Sequence, residues 1–410
     1  MRLLRSLVIC TVAVACADPS GPQGKPAPIT ALPRQLNTTE QAIASSTTDF
    51  GITLLREVNR SFADSNVFLS PLSATMALGM TLNGANNTTY TEMRGALALP
   101  DRPLAELNAS YQGLITMLRG LDRTVDFRIA NSIWYRNTFA SAIAPTFISD
   151  TKTFFDAQVT ALDFNSTQAP GTINNWVNTS TNGKITKIIE GIGPNMVMYL
   201  INATYFKGAW RDAFDTKRTA DGPFTTHTGQ QVTTKLMARK GGYRAAVING
   251  TQVVEMPYGG DAFVMTVAMP AFNVNINTFV AGLTPAVWAT FTATHPEPGW
   301  DLIFPKFKLA WEDQLNDELK AMGMRQAFIG GSADFTRLSP SMGRDLYITD
   351  VKQKAFVDVY EEGTEAAAVT SVGVGVVSLP PSIRIDRPFV FAIRERLSGT
   401  VLFMGKFVKP

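Results

Sequence analysis

Side chains able to move a proton at neutral pH are scarce in this chain of 410 residues: it holds only two histidines, His227 and His295, beside Thr-Gly and Pro-Glu-Pro turns. No His/Cys group has metal-ligand spacing, and neither a Gly-x-Ser-x-Gly elbow nor a phosphate-binding loop occurs. Gly373-Val374-Gly375 begins like a dinucleotide fingerprint, but the third glycine is missing and prolines follow where a helix should start. The expectation is a protein that is not an enzyme and needs no metal or other cofactor.

The unusual chemistry lies in the run EEGTEAAAVTSVGVGVVSLPP, from Glu361 to Pro381. Its first eight residues favour a helix and the Val/Gly/Ser run that follows favours a strand or loop, so the segment carries a conflict of local preference. Read with a period of two, Thr364, Ala366, Ala368, Thr370, Val372, Val374 and Val376 share one uncharged face. Gly363, Glu365, Ala367, Val369, Ser371, Gly373 and Gly375 form the other, where Glu365 is the sole charge. Small side chains suit a segment that slips between existing strands, because a close-packed interior resists bulky ones. The loop is therefore expected to be able to become a strand.

The elements that must hold such a loop alternate without a compositional break, so one domain over 37–410 is expected. Residues 40–60 have helical apolar spacing, 71–84 suit a buried helix, and 313–322 read as an amphipathic helix. Strands are predicted over 127–135, 196–206, 252–256, 262–269, 302–309, 389–394 and 400–408, the last two joined across Leu397-Ser398-Gly399. The mixture predicts an α+β domain with large sheets.

With 45% hydrophobic residues, 17% charged and a net charge of +3, the chain can bury a sizeable core and has no basic block for nucleic acid or anionic lipid. Arg2 and Arg5 precede a short apolar run ending in small residues, which predicts an export signal over 1–15. That run is too short to span a bilayer. Ala13-Val14-Ala15-Cys16 suits signal cleavage and also resembles a bacterial lipobox, although Ala13 stands where that motif usually has Leu. Lipid on Cys16 would be the only link to a membrane, giving an extracellular or cell-envelope protein. Both cysteines, Cys10 and Cys16, fall here, so the mature domain is held without disulfides. Five prolines between Ala17 and Arg34 predict a tether over 16–36.

EEGTEAAA at 361–368 resembles the inhibitory hinge of the serpin family. Further family-like motifs follow in the family's order: NVFLSPLS at 66–73, the 176–189 run with TNGKI, NATYFKGAW at 202–210, FPKF at 304–307 and IDRPFVFAIR at 385–394. The resemblance covers about residues 40–410. It implies three β-sheets with eight or nine helices and an exposed reactive loop; the lipobox-like signal predicts that this is an exported bacterial member, and a monomer is expected. The resemblance further implies a suicide mechanism: a serine protease attacks the loop, forms an acyl-enzyme, and is trapped covalently as the loop inserts into the central sheet. Glu361, Glu362, Gly363, Thr364, Glu365, Ala366, Ala367 and Ala368 then form the hinge. Counting from it, and from the downstream SIRIDRPF spacing, the reactive bond falls between Val377 and Ser378. A short apolar Val377 favours an elastase-like target over a trypsin-like one. Ser70, Ser73, Asn202 and Gln353 occupy the region that lets the sheet open, with Trp210 near the loop's entry; Gln353 stands where many relatives have His. The alternative within the same fold is a non-inhibitory binding or carrier protein.

Overall fold

The computed structural model describes residues 25–293, 298–364 and 382–410. The predicted signal, Cys16, His295, Glu365, Ala366, Ala367, Ala368, Val377 and Ser378 lie outside them. Among the described residues, nine α-helices surround two hydrogen-bonded sheets. No described helix is long and apolar enough to cross a membrane.

The central sheet runs in the order Phe307–Gln314, Lys352–Tyr360, Gly363–Thr364, Met198–Ala209, Val125–Arg136 and Ala157–Leu162. The larger sheet has nine strands. Two of the three expected sheets are fused in it by one strand, Gln231–Ile248, which pairs with Thr251–Pro257 at one end and with Ala220–Thr225 and Pro298–Pro305 at the other. Register shifts around Tyr243 let this strand bend from one part to the other.

The expected strand 302–309 is divided. Residues up to Pro305 belong to the larger sheet and those from Phe307 to the central one. Pro305 lacks an N–H for a continuing ladder, and the chain changes sheets there. The helix expected over 313–322 is shorter, Asn316–Ala321, because Asp313 and Gln314 remain in the ladder opposite Gln353 and Lys352. Local periodicity cannot see that cross-strand pairing.

The sheets meet in an aromatic core. Phe307 of the central sheet lies 4.8 Å from Phe407 and 5.4 Å from Phe391 of the larger one. Helix Pro71–Leu82, apolar on nearly every side, is buried as its composition requires. Its start is set by Ser70, whose hydroxyl accepts from the Ser73 N–H, and by Pro71. On the opposite face of the central sheet, helix Ala169–Ser180 buries Ile173 and Val177 against Trp134 and Ile201. Just beyond that helix, the Lys184 ammonium lies 5.2 Å from the centre of the Phe356 ring on strand Lys352–Tyr360.

Near the C-terminus the buried Lys406 ammonium donates to Asn59, Asn277 and the carbonyls of Phe62 and Ala63. Burial lowers its pKa to about 8 from the ordinary 10.5, despite the nearby Asp64 carboxylate. The folded state therefore binds this proton less tightly than the unfolded state. The expected outcome is that, relative to Lys406→Met, wild-type stability rises as pH increases from about 8 to 10.5, measured by urea unfolding. A flat difference across that window would mean the ammonium is fully stabilised by its four acceptors.

Candidate functional site

Strands Lys352–Tyr360 and Met198–Ala209 run parallel to one another in the central sheet, and the pair Gly363–Thr364 stands between them. Thr364 is opposite Val359 on one side and Gly208 on the other; Gly363 is opposite Tyr360 and Ala209. Among the described residues, neither flanking strand pairs directly with the other. Among the described residues, these two hinge residues are the only strand partner that either long strand has on that side. The first step of the loop is therefore already a sheet strand.

Each hinge residue is held by named groups. Gly363 has φ +154°, a conformation L side chains rarely adopt, and this allows the tight return from the preceding strand. The Thr364 side chain is 2% exposed, and its hydroxyl shares a hydrogen bond of 2.8 Å with Tyr258 Oη. Tyr258 is fully buried and stacks on Trp210 with ring centroids 4.4 Å apart. Burial pushes the Tyr258 phenol far above its ordinary range, with the Thr364 contact opposing, so it stays a neutral hydrogen-bonding group. The Trp210 backbone N–H donates to Glu362 O at 2.8 Å, its indole N–H to Tyr360 O at 2.9 Å, and the Phe214 N–H to Glu361 O at 2.8 Å. The Glu361 carboxylate accepts from Lys306 at 2.9 Å and from Thr219 at 2.7 Å.

The opening region predicted from sequence is brought together only in part. Ser70 and Ser73 meet at the helix start, the Ser70 hydroxyl donates to Leu402 O at 2.9 Å, and Gln353 joins them. The Gln353 amide accepts from the Ser70 N–H at 3.1 Å and donates to Ser70 O at 2.8 Å. One side chain with both a donor and an acceptor thus satisfies both backbone groups of a buried residue. Asn202 is engaged elsewhere, donating at 2.7 Å to Asn131, which itself donates to Phe155 O. Trp210 belongs to the hinge clamp. Sequence reasoning missed Tyr258, Phe214, Thr219 and Asn131. Lys306 was present in the FPKF motif, but only the fold shows that it answers Glu361.

A mixed helix and sheet domain whose central sheet takes in the root of its own loop defines the class of protein. The family model described as serpin (serine protease inhibitor) matches residues 45–410. Serpin B11 of Homo sapiens is 29% identical over 394 residues, spanning 90% of this chain and all of that protein. Leukocyte elastase inhibitor of Sus scrofa is 30% identical over 384 residues, with 90% and 100% covered. Among solved structures, human thyroxine-binding globulin complexed with thyroxine superposes with a TM-score of 0.81 at 29% identity, covering 91% of this chain and 100% of that one. The chain belongs to the serpin family.

Burial pushes the Glu361 carboxyl upward, but hydrogen bonds from Lys306 and Thr219 outweigh it and leave the group below its ordinary 4.5. A depressed carboxyl stabilises the folded hinge above pH 4.5 and loses that contribution as pH falls through its lowered value. Glu361→Gln is expected to cost about 1 kcal/mol at pH 7. The deficit should shrink with acidification below about pH 4.5, as read by denaturant unfolding at each pH. A deficit independent of pH would assign it to packing.

Proposed function

We propose that this serpin is a suicide-type inhibitor of a serine protease. The protease cleaves the loop at Val377–Ser378, and the loop inserts between Met198–Ala209 and Lys352–Tyr360 while the acyl-enzyme is still attached. The observation that carries the reading is the hinge itself: Gly363–Thr364 already lies between those strands with Thr364 facing the core. Each step of two along an inserting loop moves two residues back along both neighbours. In that register Ala366 falls opposite Phe206 and Val357, and Thr370 opposite Asn202 and Gln353. The uncharged face then enters the core, and Glu365 stays on the other face.

The small apolar Val377 supports an elastase-like target, and a relative that carries the name leukocyte elastase inhibitor fits that preference. The N-terminal pattern supports export, with lipid on Cys16 as the tie to a cell envelope. A carrier role is the second reading, favoured by the likeness to thyroxine-binding globulin.

Incubation with an elastase-like protease is expected to give a band of the summed mass on a denaturing gel. In Thr364→Arg, which forces a charge into a buried position, cleaved fragments should replace that band. Fragments alone from wild type would favour the carrier reading. Cleavage within the loop should also raise the thermal midpoint by about 10 °C or more, because an added strand is worth several kcal/mol. An unchanged midpoint in cleaved protein would rule out insertion.

A further inference from the structure

The part of the Pro-rich segment from Lys25 onward is docked on the domain rather than extended away from it. The Ile29 N–H donates to Gly260 O at 2.7 Å, and Arg396 donates to Ile29 O at 2.8 Å. The Ile29 side chain packs so closely on Gly260 that a Cβ there would lie 3.0 Å from Ile29 Cδ1. Arg211 Nη1 donates to Pro26 O at 2.8 Å and to Gly259 O at 2.9 Å, and Lys25 pairs with Asp212. These contacts fall on the two short stretches that grip the hinge. Arg211 and Asp212 lie between Trp210 and Phe214, whose N–H groups hold Glu362 O and Glu361 O. Gly259 and Gly260 follow Tyr258, which holds Thr364, and the Gly259 N–H donates to Ala209 O at 2.9 Å.

We propose that Lys25–Ile29 is a strap that clamps the hinge from outside and slows entry of the loop into the central sheet. Both stretches must shift when strands at the loop's entry part. Every strap contact adds to the resistance. A strap that is cut or pulled away frees Arg211 and Gly260 together, so the turn holding the hinge carbonyls and the turn holding Thr364 loosen at once. The consequence for protease trapping rests on the inhibitory reading; the clamp does not.

The test is hydrogen exchange on the full chain, comparing wild type with Lys25→Ala/Ile29→Ala and with Ile29→Pro, which deletes the donor to Gly260 together with the side chain that packs on it. Arg34→Ala serves as a control, because Arg34 pairs with Glu40 at the helix start, away from the hinge. The strap variants should exchange about three- to tenfold faster at the Trp210 and Phe214 amides, as expected for the loss of one or two net hydrogen bonds. On warming they should convert faster to a form with a raised thermal midpoint, and Arg34→Ala should do neither. Faster exchange at the Gly260 turn with no change at Trp210 and Phe214 would overturn the clamp. Faster exchange at Trp210 and Phe214 with no covalent protease complex in any variant would uphold the clamp and count against the inhibitory reading instead.

Discussion

The architecture turns on one place in the central sheet, where strands Met198–Ala209 and Lys352–Tyr360 run parallel on either side of Gly363–Thr364 and, among the described residues, do not bond to each other. Backbone N–H and C=O groups on facing strand edges carry a strong demand for partners. Among the described residues, Gly363–Thr364 meets that demand at one end of both strands. Under the inhibitory reading proposed above, a loop with small, alternating, largely uncharged side chains extends that pairing, and the free energy released is available for mechanical work on whatever is attached to the loop.

That arrangement has to be restrained, and the restraint is local. Trp210, Phe214 and Tyr258 grip three successive parts of the hinge through backbone carbonyls and one hydroxyl. Lys306 neutralises Glu361 beside them. Away from the entry, Gln353 ties its strand to Ser70 at the start of the buried helix, and Asn131 ties Asn202 to the neighbouring strand. The grip and the ties use neutral hydrogen bonds for the most part, each worth about 1 kcal/mol net. Interactions of this size can hold a strand in place and still be exchanged when a stronger pairing becomes available.

Much of the frame was legible in residue order. The small, apolar run of 71–84 demanded burial, and Leu397-Ser398-Gly399 marked a hairpin turn, where Gly399 has φ +76° and Glu395 caps the amides of Leu397 and Ser398. The limits of 302–309 and of 313–322 were not legible. The run is apolar on either side of Pro305, and only the strand partners, Gln231–Ile248 before it and Lys352–Tyr360 after it, reveal that one run serves two sheets. The docking of Lys25–Leu36 was hidden for a related reason: proline content describes what a segment cannot hydrogen-bond within itself, not what surface it meets.

The sequence by itself determined which segment has strand-like alternation and which of its faces is uncharged, because period-two alternation and side-chain size are local properties of the chain. It also placed a glycine at residue 363, where the structure shows a φ of +154° that other residues avoid. Only the tertiary structure decided how that turn is held. Tyr258 lies 106 residues from Thr364, Lys306 lies 55 from Glu361, and Lys25 lies 187 from Asp212. Contacts across such separations depend on how the sheets stack and twist, and no local pattern encodes a distance through space.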